Sequence, residues 1–132
     1  MDVREHFRSV VVPSYTQFKE KGDFRSLQSA ILSMYTMAEH VGLERLRYPP
    51  VVSRNERRQH AQAVRVELGL VPLQTCADVL RHVRSNTDRG TLSSTSIDPN
   101  NQATWYINEK YLPNVADDSF AKLSGLLNKP ST

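Results

Sequence analysis

Leu27, Ala30, Ile31, Met34, Ala38 and Val41 recur at spacings of three and four residues through a stretch free of proline and glycine. That periodicity puts all six on one side of an α-helix and commits the chain to burying a long apolar stripe. The helix is apolar around more than half its circumference, with Leu32, Tyr35 and Met37 beside the stripe. It is therefore either central to a bundle or shared with a second copy, and the soft side chains of Leu32, Met34, Tyr35 and Met37 are core in the simpler reading, or line a ligand pocket or dimer seam in the other.

The remaining punctuation predicts more helices. Val3, Phe7, Val10, Ser14 and Phe18 have helical spacing, and Pro13 is expected to kink or restart that helix between about Asp2 and Lys21. Gly22-Asp23 supplies a stop and a cap for the long helix, and Pro49-Pro50 marks the loop after it. Ser53-Arg54-Asn55-Glu56 has capping-box spacing, opening a helix that should run from about Arg54 to Leu68 and stop at Gly69. Pro72, Leu73, Cys76, Val79, Leu80 and Val83 trace another, ending before Gly90.

Beyond Gly90 the sequence turns polar, and residues 91–116 read as a loop and arm. Thr104-Trp105-Tyr106-Ile107 reads as an extended segment pinned to the bundle by Trp105, since no second strand is evident. Asp117-Asp118 would cap a short last helix over residues 117–128. The expected fold is all-α: one domain of four to five helices with an irregular C-terminal arm, its core helices spanning about residues 2–90.

With 132 residues and one cysteine, the chain has room for one core and cannot form an internal disulfide. No apolar run approaches the roughly 18 residues of a membrane span. A soluble cytoplasmic protein without membrane attachment is the expectation. His6, His40, His60 and His82 lack metal-ligand spacing, and no glycine-rich phosphate loop or serine elbow is present, so neither metal nor cofactor is expected. Glu39 and His40 read as surface residues.

The net charge of +3 hides an asymmetry. Residues 45–89 hold nine arginines against four acids, while the segments on either side are each net negative by one. Arginine forks onto phosphates and carboxylates, so RNA or an acidic protein is the expected kind of partner. The densest cluster is Arg81, Arg84, Ser85, Asn86 and Arg89, in which arginines would grip phosphate oxygens while Ser85 or Asn86 positions a ribose hydroxyl or base. Arg54, Arg57, Arg58 and Arg65 form a secondary basic patch able to lie along a backbone. Asp78 and His82 are placed for an i,i+4 pair, and His82 is the one candidate general acid or base.

The run Val79-Leu80-Arg81-His82-Val83-Arg84-Ser85-Asn86-Thr87-Asp88-Arg89, preceded by the long helix Phe24 to Val41, resembles the last-helix motif of HEPN-type helical domains. In that family an arginine, usually followed by a polar residue, precedes a histidine by four to six positions, and two copies form a metal-independent RNase site. Arg84 matches the arginine and Ser85 the polar residue, but Arg89 stands at the histidine position. The resemblance implies a degenerate, non-catalytic RNA-associated protein of the defence or toxin–antitoxin kind. Arg54 and His60 share the family's spacing, yet six residues turn a helix by about 600°, which separates their faces. Two alternatives stand beside this reading: a scaffold module whose homodimer buries the long helix, and an RNase in which His82 replaces the missing histidine.

Overall fold

A computed structural model describes residues 2–45, 53–82 and 96–127, with Leu43, Arg45 and His82 described by backbone alone. The chain begins with Asp2, whose carboxylate accepts the Glu5 N–H at 3.1 Å and caps α1 (Val3–His6). A π-helical turn (Phe7–Val11) comes next and leads without interruption into α2 (Val12–Lys21). The expected restart takes this form: the π-turn breaks the regular α-helical count, and Pro13 sits in the first turn of α2. The proline ring would press on the Ser9 carbonyl of a regular α-helix, and the wider π-turn just before it relieves that crowding. The Val12 N–H accordingly reaches five residues back, to the Phe7 carbonyl.

Gly22 ends α2 in the left-handed region, at φ 67°, and α3 (Phe24–Arg45) starts behind Asp23. The Ser26 hydroxyl holds the Asp23 carboxyl below the usual carboxylate range. All six stripe residues of α3 are buried, together with Met34's neighbour Met37. They meet α2, α4, α5 and α6 of the same chain, which makes α3 the central helix.

Ser53 caps α4 (Arg54–Leu68) by accepting the Glu56 N–H at 3.1 Å. At its other end Gly69, at φ 70°, lets the Leu70 N–H return to the Arg65 carbonyl at 2.7 Å. Ser53→Ala is expected to lower stability by about 1 kcal/mol in urea denaturation without changing the fold; an unchanged midpoint would show that the cap contributes nothing. Next comes α5 (Val71–His82).

The C-terminal segment differs from expectation in two ways. Trp105 is buried as expected, with its indole N–H donating to the Asp98 carbonyl at 2.8 Å and Phe24 edge-on at 5.3 Å. But β1 (Tyr106–Ile107) does find a partner, β2 (Lys110–Tyr111), through a turn in which both Asn108 and Glu109 have positive φ. This is the primed geometry that twists a two-residue hairpin correctly, and Glu in place of the usual glycine conceals it from the sequence.

The last helix, α6 (Leu112–Leu127), begins five residues before Asp117. Pro113 suits a first turn, and the Leu112 N–H donates to the Trp105 carbonyl at 2.9 Å, so the hairpin runs directly into the helix. Asp117 is no cap: it accepts the Tyr15 hydroxyl and pairs with Lys19 at 3.3 Å. Leu112, Val115, Ala116, Leu123 and Leu127 bury one side of α6 in the same apolar cluster as α3. The result is an all-α bundle with one small hairpin.

Candidate anion-binding cleft

Arg54, Arg57, Arg58, Ala61 and Arg65 succeed one another along α4 at helical spacing, and all five line a single cleft of about 270 Å³. Tyr35 and Glu39, one turn apart on α3, form the opposite wall, and Arg81 enters from α5. The helices approach closely because Gly42 has no side chain: a Cβ there would sit 3.3 Å from the backbone of His60. With the wall drawn in at Gly42, the arginine stripe of α4 lies against Tyr35.

Tyr35 is the centre of the site. The Arg65 guanidinium carbon lies 3.9 Å from its ring centroid and that of Arg81 at 4.9 Å, both within cation–π range. Arg65 also donates from Nη2 to the Tyr35 carbonyl at 3.3 Å. Only 7% of Arg65 is exposed, and its Nε is buried with no hydrogen-bond partner. Burial pushes the Arg65 guanidinium below its ordinary value; Tyr35, Asp78 and Glu39 favour its charge and Arg81 opposes it. Arginine nonetheless stays protonated, so the floor of the cleft is a buried cation with an unused donor.

The upper rim is exposed. Arg54, Arg57 and Arg58 make no ion pair or side-chain hydrogen bond among the described residues, and Glu39 is the one carboxylate on the cleft wall. Five guanidiniums, offset by Glu39 on the wall and by Asp78 beside Arg81, leave a net positive potential in a concave space. Such a space favours an anion with several acceptor oxygens.

The structure joins the secondary basic patch to Arg81 and leaves the rest of the densest sequence cluster, Arg84, Ser85, Asn86 and Arg89, outside the described residues. His82 closes α5 with its backbone alone described. Asp78 pairs with Arg81 at 3.1 Å, three residues on. Tyr35, for which the sequence favours core over a pocket wall, lines the cleft, Glu39 joins it, and Arg65 is its floor. Glu39 is half-buried in the cleft and His40 half-buried against His6, which corrects their reading as surface residues.

The His6 and His40 rings lie 4.2 Å apart, joining α1 to α3. Burial, and then the neighbouring His40, lower the His6 pKa. The unfolded chain therefore takes up this proton more readily than the folded one, so stability is lost as pH falls from about 6.5, the unfolded value, through the lower folded one. Thermal midpoints should fall between pH 7 and pH 5, and His6→Gln should flatten that slope; an unchanged slope in the variant would exclude this pair as the cause.

Among the described residues no group of three or more histidine, cysteine or acidic side chains is placed to hold a metal ion, and no helix is long and apolar enough to cross a membrane. Cys76 is buried, which pushes its thiol up to about 11. Comparison with models of known protein families, with curated protein sequences and with solved structures finds no match.

Proposed function

We propose that this protein binds single-stranded RNA without cleaving it, holding backbone phosphates in the cleft between α3, α4 and α5. The observation that carries this reading is the buried Arg65 guanidinium, with its unpartnered Nε, beneath four further arginines. A buried donor left unsatisfied costs about 1–3 kcal/mol, which a phosphate oxygen entering the cleft would offset. A flexible strand can lower individual phosphates into a concave site of this size, whereas a rigid duplex presents its phosphates on a broad convex surface. The HEPN-like character of the sequence supports the same partner, since Arg84 lies only three positions after the cleft residue Arg81. On this reading the protein is a degenerate relative of such domains, of the defence or toxin–antitoxin kind.

The test is fluorescence anisotropy of a labelled single-stranded RNA at about 50 and about 200 mM salt. Three or four phosphate contacts, each contributing roughly 0.7 to the log–log slope, predict an affinity loss of about tenfold or more between the two conditions. Absence of binding at the lower salt would sink the RNA reading and turn attention to an acidic protein segment, which the same guanidiniums would fit.

A further inference from the structure

The arginine cleft has a neighbour. Tyr35, Arg58, Arg65 and Arg81 also line a second cavity of about 580 Å³, whose other walls are Gln59, Gln62 and Gln74. The two cavities adjoin across these four shared residues, and the composition changes from one to the other from guanidinium towards carboxamide. Gln62 comes from α4 and Gln74 from α5, so the amides approach from two different helices. Both are half-buried, yet neither side-chain amide bonds to any described residue.

We propose that this carboxamide-lined cavity binds the base of a nucleotide whose phosphate occupies the arginine cleft. The inference rests on the anion-binding reading of the cleft and adds a substrate class to it. A carboxamide carries a donor and an acceptor side by side, the pattern that matches the N6/N7 edge of adenine, whereas to a phosphate it offers one uncharged NH2 against the five N–H donors and the charge of a guanidinium. The guanidinium of Arg81, held over Tyr35 at the junction, supplies a flat cationic surface of the kind on which splayed bases stack. Phosphate, stacking surface and base-reading amides thus succeed one another in the order in which a nucleotide presents its own parts. An arginine patch built for unspecific polyanions has no use for two partly buried, unbonded amides beside it.

The experiment compares an adenine decaribonucleotide with an abasic ribose-phosphate decamer, for wild type and for Gln62→Ala/Gln74→Ala, after confirming equal helicity. Wild type should bind the adenine strand at least about fivefold more tightly, the weaker end of what one bidentate amide–base pair provides. The double variant should bind both strands at the wild-type abasic level. Equal wild-type affinity for the two strands, or a preference untouched in the variant, would overturn base recognition while leaving phosphate binding intact. No binding of either strand would remove the underlying anion reading as well. Adenosine monophosphate and ribose 5-phosphate serve as competitors: displacement by the nucleotide alone, at concentrations matching the decamer, identifies a free nucleotide as the occupant, and displacement only by strands identifies RNA.

Discussion

Arg54→Ala/Arg57→Ala/Arg58→Ala is expected to weaken single-stranded RNA binding by more than about tenfold at low salt and to lower the log–log salt slope by about 2, three phosphate contacts at roughly 0.7 each. These side chains are exposed and make no ion pair among the described residues, so their removal takes nothing from the fold. Alanine is, moreover, the best helix former at such positions. Arg65 could not serve in this experiment, because its guanidinium supports both the ring and the carbonyl of Tyr35. The control is Arg4→Ala/Arg8→Ala/Arg25→Ala, which changes the net charge equally on α1, the π-turn and α3. Anisotropy titrations should separate the two variants. If both lose the same affinity, total charge and not the cleft is responsible, and the site assignment fails.

The second large effect concerns folding. Trp105→Ala should destabilise the protein by about 3–5 kcal/mol, the usual range for deleting a buried tryptophan side chain. Trp105 is 1% exposed, packs edge-on against Phe24 at the start of α3, and supplies the backbone carbonyl that accepts the Leu112 N–H at the start of α6. The cavity would open where the hairpin enters the core, and the Asp98 carbonyl would lose its indole donor. Against a total stability of about 5–15 kcal/mol, that is enough to leave a sizeable unfolded fraction in a marginal protein. Trp105→Phe keeps most of the apolar contact and should lose clearly less. Urea denaturation monitored by circular dichroism checks both; equal, small losses would mean that Trp105 merely covers the core.

Local pattern was sufficient where the decisive interactions are local. Ser53 and Gly69 bracket α4 because a cap and a left-handed stop act within a few residues, and the α3 stripe is visible because burial of a helix repeats with its own pitch. Asp117-Asp118 misleads for the complementary reason. Two acids before an apolar run look like a cap, but tertiary partners, Tyr15 and Lys19, hold Asp117 inside a helix that Pro113 had already begun. The arginine stripe was likewise visible as spacing, whereas the roles of Tyr35, Glu39 and Arg65 were not. They depend on how closely α4 approaches α3 at Gly42, which involves residues far apart in the chain and leaves no periodic trace.

The π-turn before Pro13 gives the N-terminal helix two phases. Val3, Phe7 and Val11 are four residues apart and all buried; the α-helical step from Val3 to Phe7 drifts by about 40°, and the wider turn from Phe7 to Val11 winds back against that drift. Phe18, beyond the turn, is buried on the ordinary α-helical count. Losing one residue from Phe7–Val11 would rotate α1 by about 100° relative to α2, carrying Val3 off the core and His6 away from His40. Substitution is tolerated in this stretch wherever the side chain faces water, but its length is counted to the residue.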